Sequence, residues 1–312
     1  MIEIDNVSRC FGATVAVENL SLAVPRGALV TLMGASGSGK STLLRMINRL
    51  IEPSVGTIRI DGRDAGAIPG DELRRGIGYV IQGHGLFPHW TVARNIATVP
   101  RLLNWDAARI ERRVAELMLL FGLDPDVHGR KFPHQLSGGQ QQRVGVARAL
   151  AAEPSVLLMD EPFGALDPLL RAKARDDLLR LQRRLGVTVV LVTHDLEEAI
   201  ALGDRIAVMD RGRLMQYATP AELLSRPAPG FVERLVADSE RPFRLLSLTQ
   251  TREAAEPGEA AGPPIAETAS LKDALAALIA RGADSLPVAT APGAPPRRLA
   301  LGAILARARL AS

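Results

Sequence analysis

The sequence predicts an α/β fold: a sheet with parallel strands, a helical insertion, and a small α/β tail behind a linker. Three observations carry that expectation. "SVLLMD" and "TVVLVT" are continuous apolar runs of β-branched character, each followed by a helical segment. Strands of a parallel sheet buried on both faces look like this. "LVTLMGASGSGKSTLLRMI" sets a glycine-rich loop between a strand and a helix. After "RPFRLLSL" the composition turns to Ala, Glu, Gly and Pro, as in a linker.

From Ile2 to about Ile60 short β-rich runs alternate with turns: "IEID", "TVAVENLSLAV", "ALVTLMG" and "GTIRIDG". Between them "KSTLLRMINRLI" repeats apolar residues at helical spacing. "IGYVIQ" reads as a further buried strand. Ala93 to about Phe132 is helical in pattern, with "RIERRVAELMLLFGL" amphipathic and ended by Gly122. These elements predict one α/β domain over residues 1–240, with a helical subdomain over about 93–152. Residues 241–264 read as a connection and flexible linker, most clearly in "TREAAEPGEAAGPP". Residues 265–312 hold a helix, "SLKDALAALIARG", a strand-like "SLPVAT", a Pro-rich loop and "LALGAILARARL". A tail that short lacks a dependable core of its own.

The bulk composition narrows the function classes. At 47% apolar residues the 312-residue chain is globular, with room for one large domain or two smaller ones. The net charge of +4 comes from interspersed Arg, Asp and Glu, and aromatics make up 4%, too few for a base-stacking platform. Nucleic acid is therefore not an expected partner. The single cysteine, Cys10, forms no internal disulfide or zinc site and fits a reducing cytosol. "MIEIDNVSRCFG" reads as a strand rather than a signal segment. No run is long and apolar enough to span a bilayer: Gly76 to Ala93, the longest without charge, is broken by Gln82, His84, Pro88 and His89.

In "GASGSGKST", the residues Gly34, Ala35, Ser36, Gly37, Ser38, Gly39, Lys40, Ser41 and Thr42 form a phosphate cradle. Its glycines let backbone N–H groups turn inward, Lys40 adds charge at the β- and γ-phosphates, and Ser41 offers a hydroxyl to Mg²⁺. At the end of "VLLMDEP", Asp160 can hold Mg²⁺, and Glu161 is placed to orient or deprotonate a water. Ser137, Gly138, Gly139 and Gln140 open a helix whose free N–H groups suit a second anion.

The order of phosphate loop, "LSGGQ", Asp-Glu strand, "ALD" and "THD" resembles the nucleotide-binding subunit of ATP-binding cassette (ABC) transporters, from about Ile2 to Ala237. The resemblance implies a mixed-sheet ATPase domain that binds ATP with Mg²⁺. It implies a homodimer paired head to tail, in which each "LSGGQ" closes over the partner's ATP. It further implies that Phe11 stacks on adenine, where Tyr is more usual. By the same resemblance Gln82 reaches Mg²⁺ and the lytic water, Asp167 links the two sites, and His194 contacts the γ-phosphate. His84, His89, His128 and His134 are read as surface or packing residues.

"IGYVIQGHGLFPHWTVARNIATVPRLLNW" and "KFPHQLSGGQQQRVGVARALAAEPSVLLMDEPFGALDP" resemble the ATPases of osmoprotectant importers for glycine betaine, carnitine or choline. Gly83 departs from that pattern, which has a second glutamine there. The tail is similar to a single, shortened CBS module of the kind some of those ATPases carry. An importer implies integral membrane permease subunits, a solute-binding protein outside the membrane, and a peripheral position on the cytoplasmic face. Two other readings remain: an importer for amino acids, sulfonates or sugars, and a soluble ABC ATPase acting on DNA or ribosomes. Against the last, no sustained heptads separate Lys40 from Ser137.

Overall fold

The computed structural model describes residues 1–83, 85–164, 166–291 and 294–308, without the side chains of 168–170. His84 and the final residues of the tail lie outside the described residues. The chain forms two compact units, residues 1–217 and 218–312.

The first unit opens with an antiparallel sheet ordered β2-β1-β4-β5. Strands β1 (Ile2–Phe11) and β2 (Thr14–Val24) form a hairpin, while β4 (Val55–Ile60) and β5 (Arg63–Asp64) complete the sheet. In β1, Ile2, Ile4 and Val7 are buried while Glu3 and Asp5 face out, so this sheet covers the core with one face.

The second sheet runs β10-β9-β3-β8-β7-β6. Its members are β3 (Leu29–Met33), β6 (Ile77–Val80), β7 (Val156–Asp160), β8 (Thr188–Thr193), β9 (Arg205–Asp210) and β10 (Arg213–Ala218). β3 pairs in parallel with β8 and β9, and β7 in parallel with β6 and β8. Every residue of β3, β7 and β8 is buried. Their apolar side chains, each worth about 1.5–3 kcal/mol when buried, explain the unbroken apolar runs.

α1 (Lys40–Ile47) follows β3, and α2 (Gly70–Arg75) precedes β6. Between β6 and β7 lie α3 (Val92–Ile96), α4 (Thr98–Leu102), α5 (Ala107–Leu120), α6 (Pro125–His128) and α7 (Gly138–Leu150). The Asp106 carboxylate caps α5 by accepting from Arg109 N at 2.8 Å, and Gly122, at φ 66°, ends it. α8 (Pro168–Leu185) follows β7, and α9 (Leu196–Leu202) follows β8.

The second unit contains α10 (Pro220–Ser225), α11 (Phe231–Val236), α12 (Arg241–Leu248) and α13 (Thr251–Ala254). Then come β11 (Glu256–Pro257), α14 (Leu271–Arg281), β12 (Ser285–Val288), β13 (Arg297–Ala300) and α15 (Leu301–Ala308). Its sheet is ordered β11-β13-β12, antiparallel throughout. Two expectations change here. The segment read as flexible linker is structured at its start: Thr251 is fully buried, its hydroxyl donates to Ala266 O at 2.8 Å, and β11 pairs with β13. Its alanine-rich composition serves a helix and a sheet edge as well as it serves a linker. The tail also gains a core by recruiting α12, whose Leu246 packs with Leu271, Leu278, Leu286, Leu299 and Ile304.

Candidate functional site

The glycine-rich loop leaves the C-terminal end of β3 and turns into α1. Gly34 has φ 153°, and a Cβ there would lie 2.0 Å from Met209 O. Gly39 has φ 98°, and its Cβ would lie 2.4 Å from Ala16 O. Neither position admits a side chain, so strands β9 and β2 wall the loop closely. Ala35, Ser36 and Gly37 are exposed on its rim, Ser38 is buried, and Thr42 is half-buried in the first turn of α1. That first turn holds no acidic residue, which leaves the helix N-terminus open to an anion.

Lys40 is buried, and its ammonium donates to Gly34 O at 2.8 Å, Ala35 O at 2.7 Å and Ser38 Oγ at 3.3 Å. Burial pushes its pKa down, while the carboxylates of Glu161 and Asp160 pull it up. The ammonium thus sits inside the loop, on carbonyls that phosphate oxygens can replace.

Ser41 Oγ donates to Asp160 Oδ1 at 2.9 Å, joining the start of α1 to the end of β7. A hydroxyl and a carboxylate beside a phosphate loop form the hard oxygen set that suits Mg²⁺, which is usually held by one or two carboxylates and the substrate's phosphates. The donors present fit that ion.

Glu161 follows at φ 46°, a left-handed conformation rare for a residue with a side chain. Its N–H donates to Val192 O at 3.1 Å, fixing the turn against β8. Its Oε1 lies 3.4 Å from His194 Nδ1, and its Oε2 accepts from Gln82 Nε2 at 3.5 Å. The ends of the neighbouring strands β6, β7 and β8 therefore bring Gln82, Glu161 and His194 together. They line a cleft of about 310 Å³ with Gly83 and Gly164. Gly83 has φ 76°, a conformation that glycine accepts at little cost where glutamine would not.

Phe11 ends β1 at 45% exposure, with the Arg9 guanidinium 4.6 Å from its ring centroid. None of the remaining expected residues is among those that line this cleft. Ser137 caps α7: its hydroxyl accepts from Gln140 N at 3.3 Å, and Gln140 Oε1 accepts from Ser137 N at 3.0 Å. Ser137 and Gly138 are exposed, and Gly139 is half-buried. Among the described residues no hydrogen bond joins 137–140 to the phosphate loop. Asp167 is exposed just before α8.

Sequence reasoning missed three supporting residues. Asn95 is fully buried; its Oδ1 accepts from Phe87 N, and its Nδ2 donates to Phe87 O, Trp90 O and Thr91 O, fastening the loop beyond Gln82. An asparagine between the apolar Val92 and Ile96 of α3 was the available signal. Arg148 of α7 holds the same loop from another side, donating to Gly85 O at 2.7 Å, and burial lowers its pKa. His128, read as surface or packing, has its Nε2 3.4 Å from Gln140 Nε2, a proximity the sequence does not signal.

Residues 17–164 match the ABC transporter family model. The chain is 52% identical over 296 residues to the glycine betaine uptake system ATP-binding protein YehX of Escherichia coli K12, spanning 95% of this chain and 96% of that one. It is 50% identical over 251 residues to the osmoprotectant import ATP-binding protein OsmV of Salmonella typhimurium LT2. That match spans 79% of this chain and just under two thirds, 66%, of the relative. Among solved structures, the dimeric post-hydrolysis state of the ATP-binding cassette MJ0796, bound to ADP and Pi, matches with a TM-score of 0.63 at 35% identity. It covers 70% of this chain and 99% of that one. Half identity along nearly the full length of a relative, around a glycine-rich loop and strand ends of this geometry, makes the chain a member of the ABC transporter family, an ATP-binding subunit and ATPase.

Proposed function

We propose that the chain is the ATP-hydrolysing motor of an importer for quaternary-amine osmoprotectants such as glycine betaine, choline or carnitine. The observation that carries the cargo is the extent of the match to YehX. It runs well into residues 218–312, beyond the family model's last matched residue and beyond what the solved cassette covers.

In this reading two copies pair head to tail, and Ser137, Gly138, Gly139 and Gln140 of one close over the ATP held by the other. Phe11 stacks on adenine, and the N–H groups of residues 34–42 with Lys40 hold the phosphates. Mg²⁺, held by Ser41, Asp160 and Gln82, supplies charge neutralisation at the phosphates. Glu161 takes the proton of a water that Gln82 orients, and His194 stabilises charge at the γ-phosphate. Asp167 links the two sites.

No described helix is long and apolar enough to cross a membrane. We place the chain on the cytoplasmic face, docked to permease subunits and served through them by an extracytoplasmic solute-binding protein. A groove of about 880 Å³ on α3, α4, α5 and α6, lined by Arg94, Arg101, Ile110, Glu111 and Met118, supports docking at the helical insertion. The order helix–strand–strand–helix of α14, β12, β13 and α15, with Ile265 bridged in parallel to Val288, supports a single CBS-like module. Its pairing with the partner's copy would make it a regulatory or dimer-stabilising element.

The test is ATP-driven uptake in proteoliposomes holding this chain, its permease and its binding protein. Labelled glycine betaine, choline and carnitine are offered at low and high ionic strength. Uptake of one, abolished by Glu161→Gln, is the expected result. ATP hydrolysis without uptake of any of the three would leave the motor and overturn the cargo.

A further inference from the structure

Two helices begin at the loops that carry the signals of the ATP site. α8 follows the loop with Asp167, and α9 follows the loop with His194. Arg171, on α8, spans the two. Its Nη2 donates to Leu166 O at 3.0 Å, and its Nη1 lies 3.6 Å from Asp195 Oδ2. Its Nε is buried without a hydrogen-bond partner, so the guanidinium keeps one donor unspent.

The far end of this tie is rigid. Asp195 Oδ1 accepts from Glu197 N at 2.8 Å and Glu198 N at 3.1 Å, and Asp195 N donates to Thr193 Oγ1 at 3.0 Å. Glu198, buried and hydrogen-bonded to Thr193, faces Arg175 and Arg171. A planar guanidinium gives direction to its hydrogen bond with the Leu166 carbonyl and its ion pair with the Asp195 carboxylate, which a lysine ammonium does not. One side chain thus connects the backbone next to Asp167 with the residue next to His194.

We propose that Arg171 is a positioning residue that passes the state of His194 to Asp167, so that nucleotide at one site sets the loop serving the other. The inference rests on the roles of His194 and Asp167 given above. It adds Arg171, whose contacts run to Leu166 O and the Asp195 carboxylate.

The experiment compares Arg171→Gln, Asp195→Asn, Asp167→Ala and the Arg171→Gln/Asp167→Ala double variant in the full chain assembled with its permease. ATP turnover is measured beside nucleotide affinity. Asp195→Asn breaks the same ion pair from its other end and retains the Oδ1 cap of α9, which guards against a folding defect in the arginine variant. Arg171→Gln and Asp195→Asn are each expected to lower kcat roughly 10- to 100-fold, as misplacement by about an ångström does, with ATP affinity within about twofold. The double variant should fall no further than the worse single one. Additive losses, wild-type turnover in Arg171→Gln, or parallel loss of ATP binding would overturn the proposal. Wild-type turnover in Asp167→Ala would instead remove the reading beneath it.

Discussion

Replacing Asn95 with alanine removes four hydrogen bonds at one site. One is accepted from Phe87 N at 2.8 Å; three are donated to Phe87 O, Trp90 O and Thr91 O at 3.2, 3.1 and 3.0 Å. The Nδ2 group has two N–H bonds to share among its three acceptors, so about three hydrogen bonds are lost in effect; at about 1 kcal/mol net apiece, and with the Phe87 N–H left unpaired, local opening becomes easier by about 2–4 kcal/mol. At 1.4 kcal/mol per factor of ten, hydrogen-exchange protection of that amide should fall roughly 30- to 700-fold. Native-state exchange on peptides spanning 86–95, with a β7 peptide as internal control, measures it. ATP affinity should be unchanged, because Lys40 and its loop are untouched, while coupling of hydrolysis to transport weakens. Protection within about threefold of wild type would refute the argument that Asn95 fastens this loop.

Glu161→Gln should lower ATP turnover roughly 10²- to 10⁴-fold and leave ATP bound, measured by single-turnover hydrolysis beside a binding titration. Gly39→Ala, with its Cβ 2.4 Å from Ala16 O, should abolish nucleotide binding; normal affinity in a titration would count against the fit of the loop. Burial raises the Glu198 carboxyl, so the fold disfavours its ionised form. The stability of the neutral form is fully present below the unfolded pKa and is lost as pH rises through the raised folded one. Glu198→Gln should therefore melt above wild type at neutral pH, with the gap closing on acidification. Equal melting temperatures at neutral pH would contradict this.

The candidate ATP site was legible where its chemistry is contiguous in sequence. Gly34 to Thr42 and Asp160-Glu161 stand at strand ends marked by apolar runs, so pattern alone placed them. Gln82 and His194 came from resemblance, since a lone glutamine or histidine carries no signal until β6, β7 and β8 lie side by side. Contacts distant in sequence were not legible. Met209 O of β9 crowds Gly34, and Gly212 N donates to Ser38 O at 3.1 Å, although "RIAVMD" and "RLMQYA" bear no mark of the loop they wall. What the short tail leans on was not legible for a different reason. Counting a core from Ile265 onward omits Leu246, which lies before the glycine- and proline-rich stretch yet packs behind it. A truncation meant to remove this unit has to begin at Ala218.

In the proposed head-to-tail dimer each ATP is closed by residues from two chains. Lys40→Ala is expected to disable the phosphate loop, and Ser137→Arg the proposed anion site of Ser137 to Gln140. Each variant is assembled alone with the permease and hydrolyses little ATP. Assembled as a mixture, the heterodimers of the proposed head-to-tail arrangement would have one site that pairs an intact Lys40 with an intact Ser137. ATP hydrolysis is then expected to return on mixing, above the level of either variant alone. A mixture no more active than the average of its two components would contradict that arrangement.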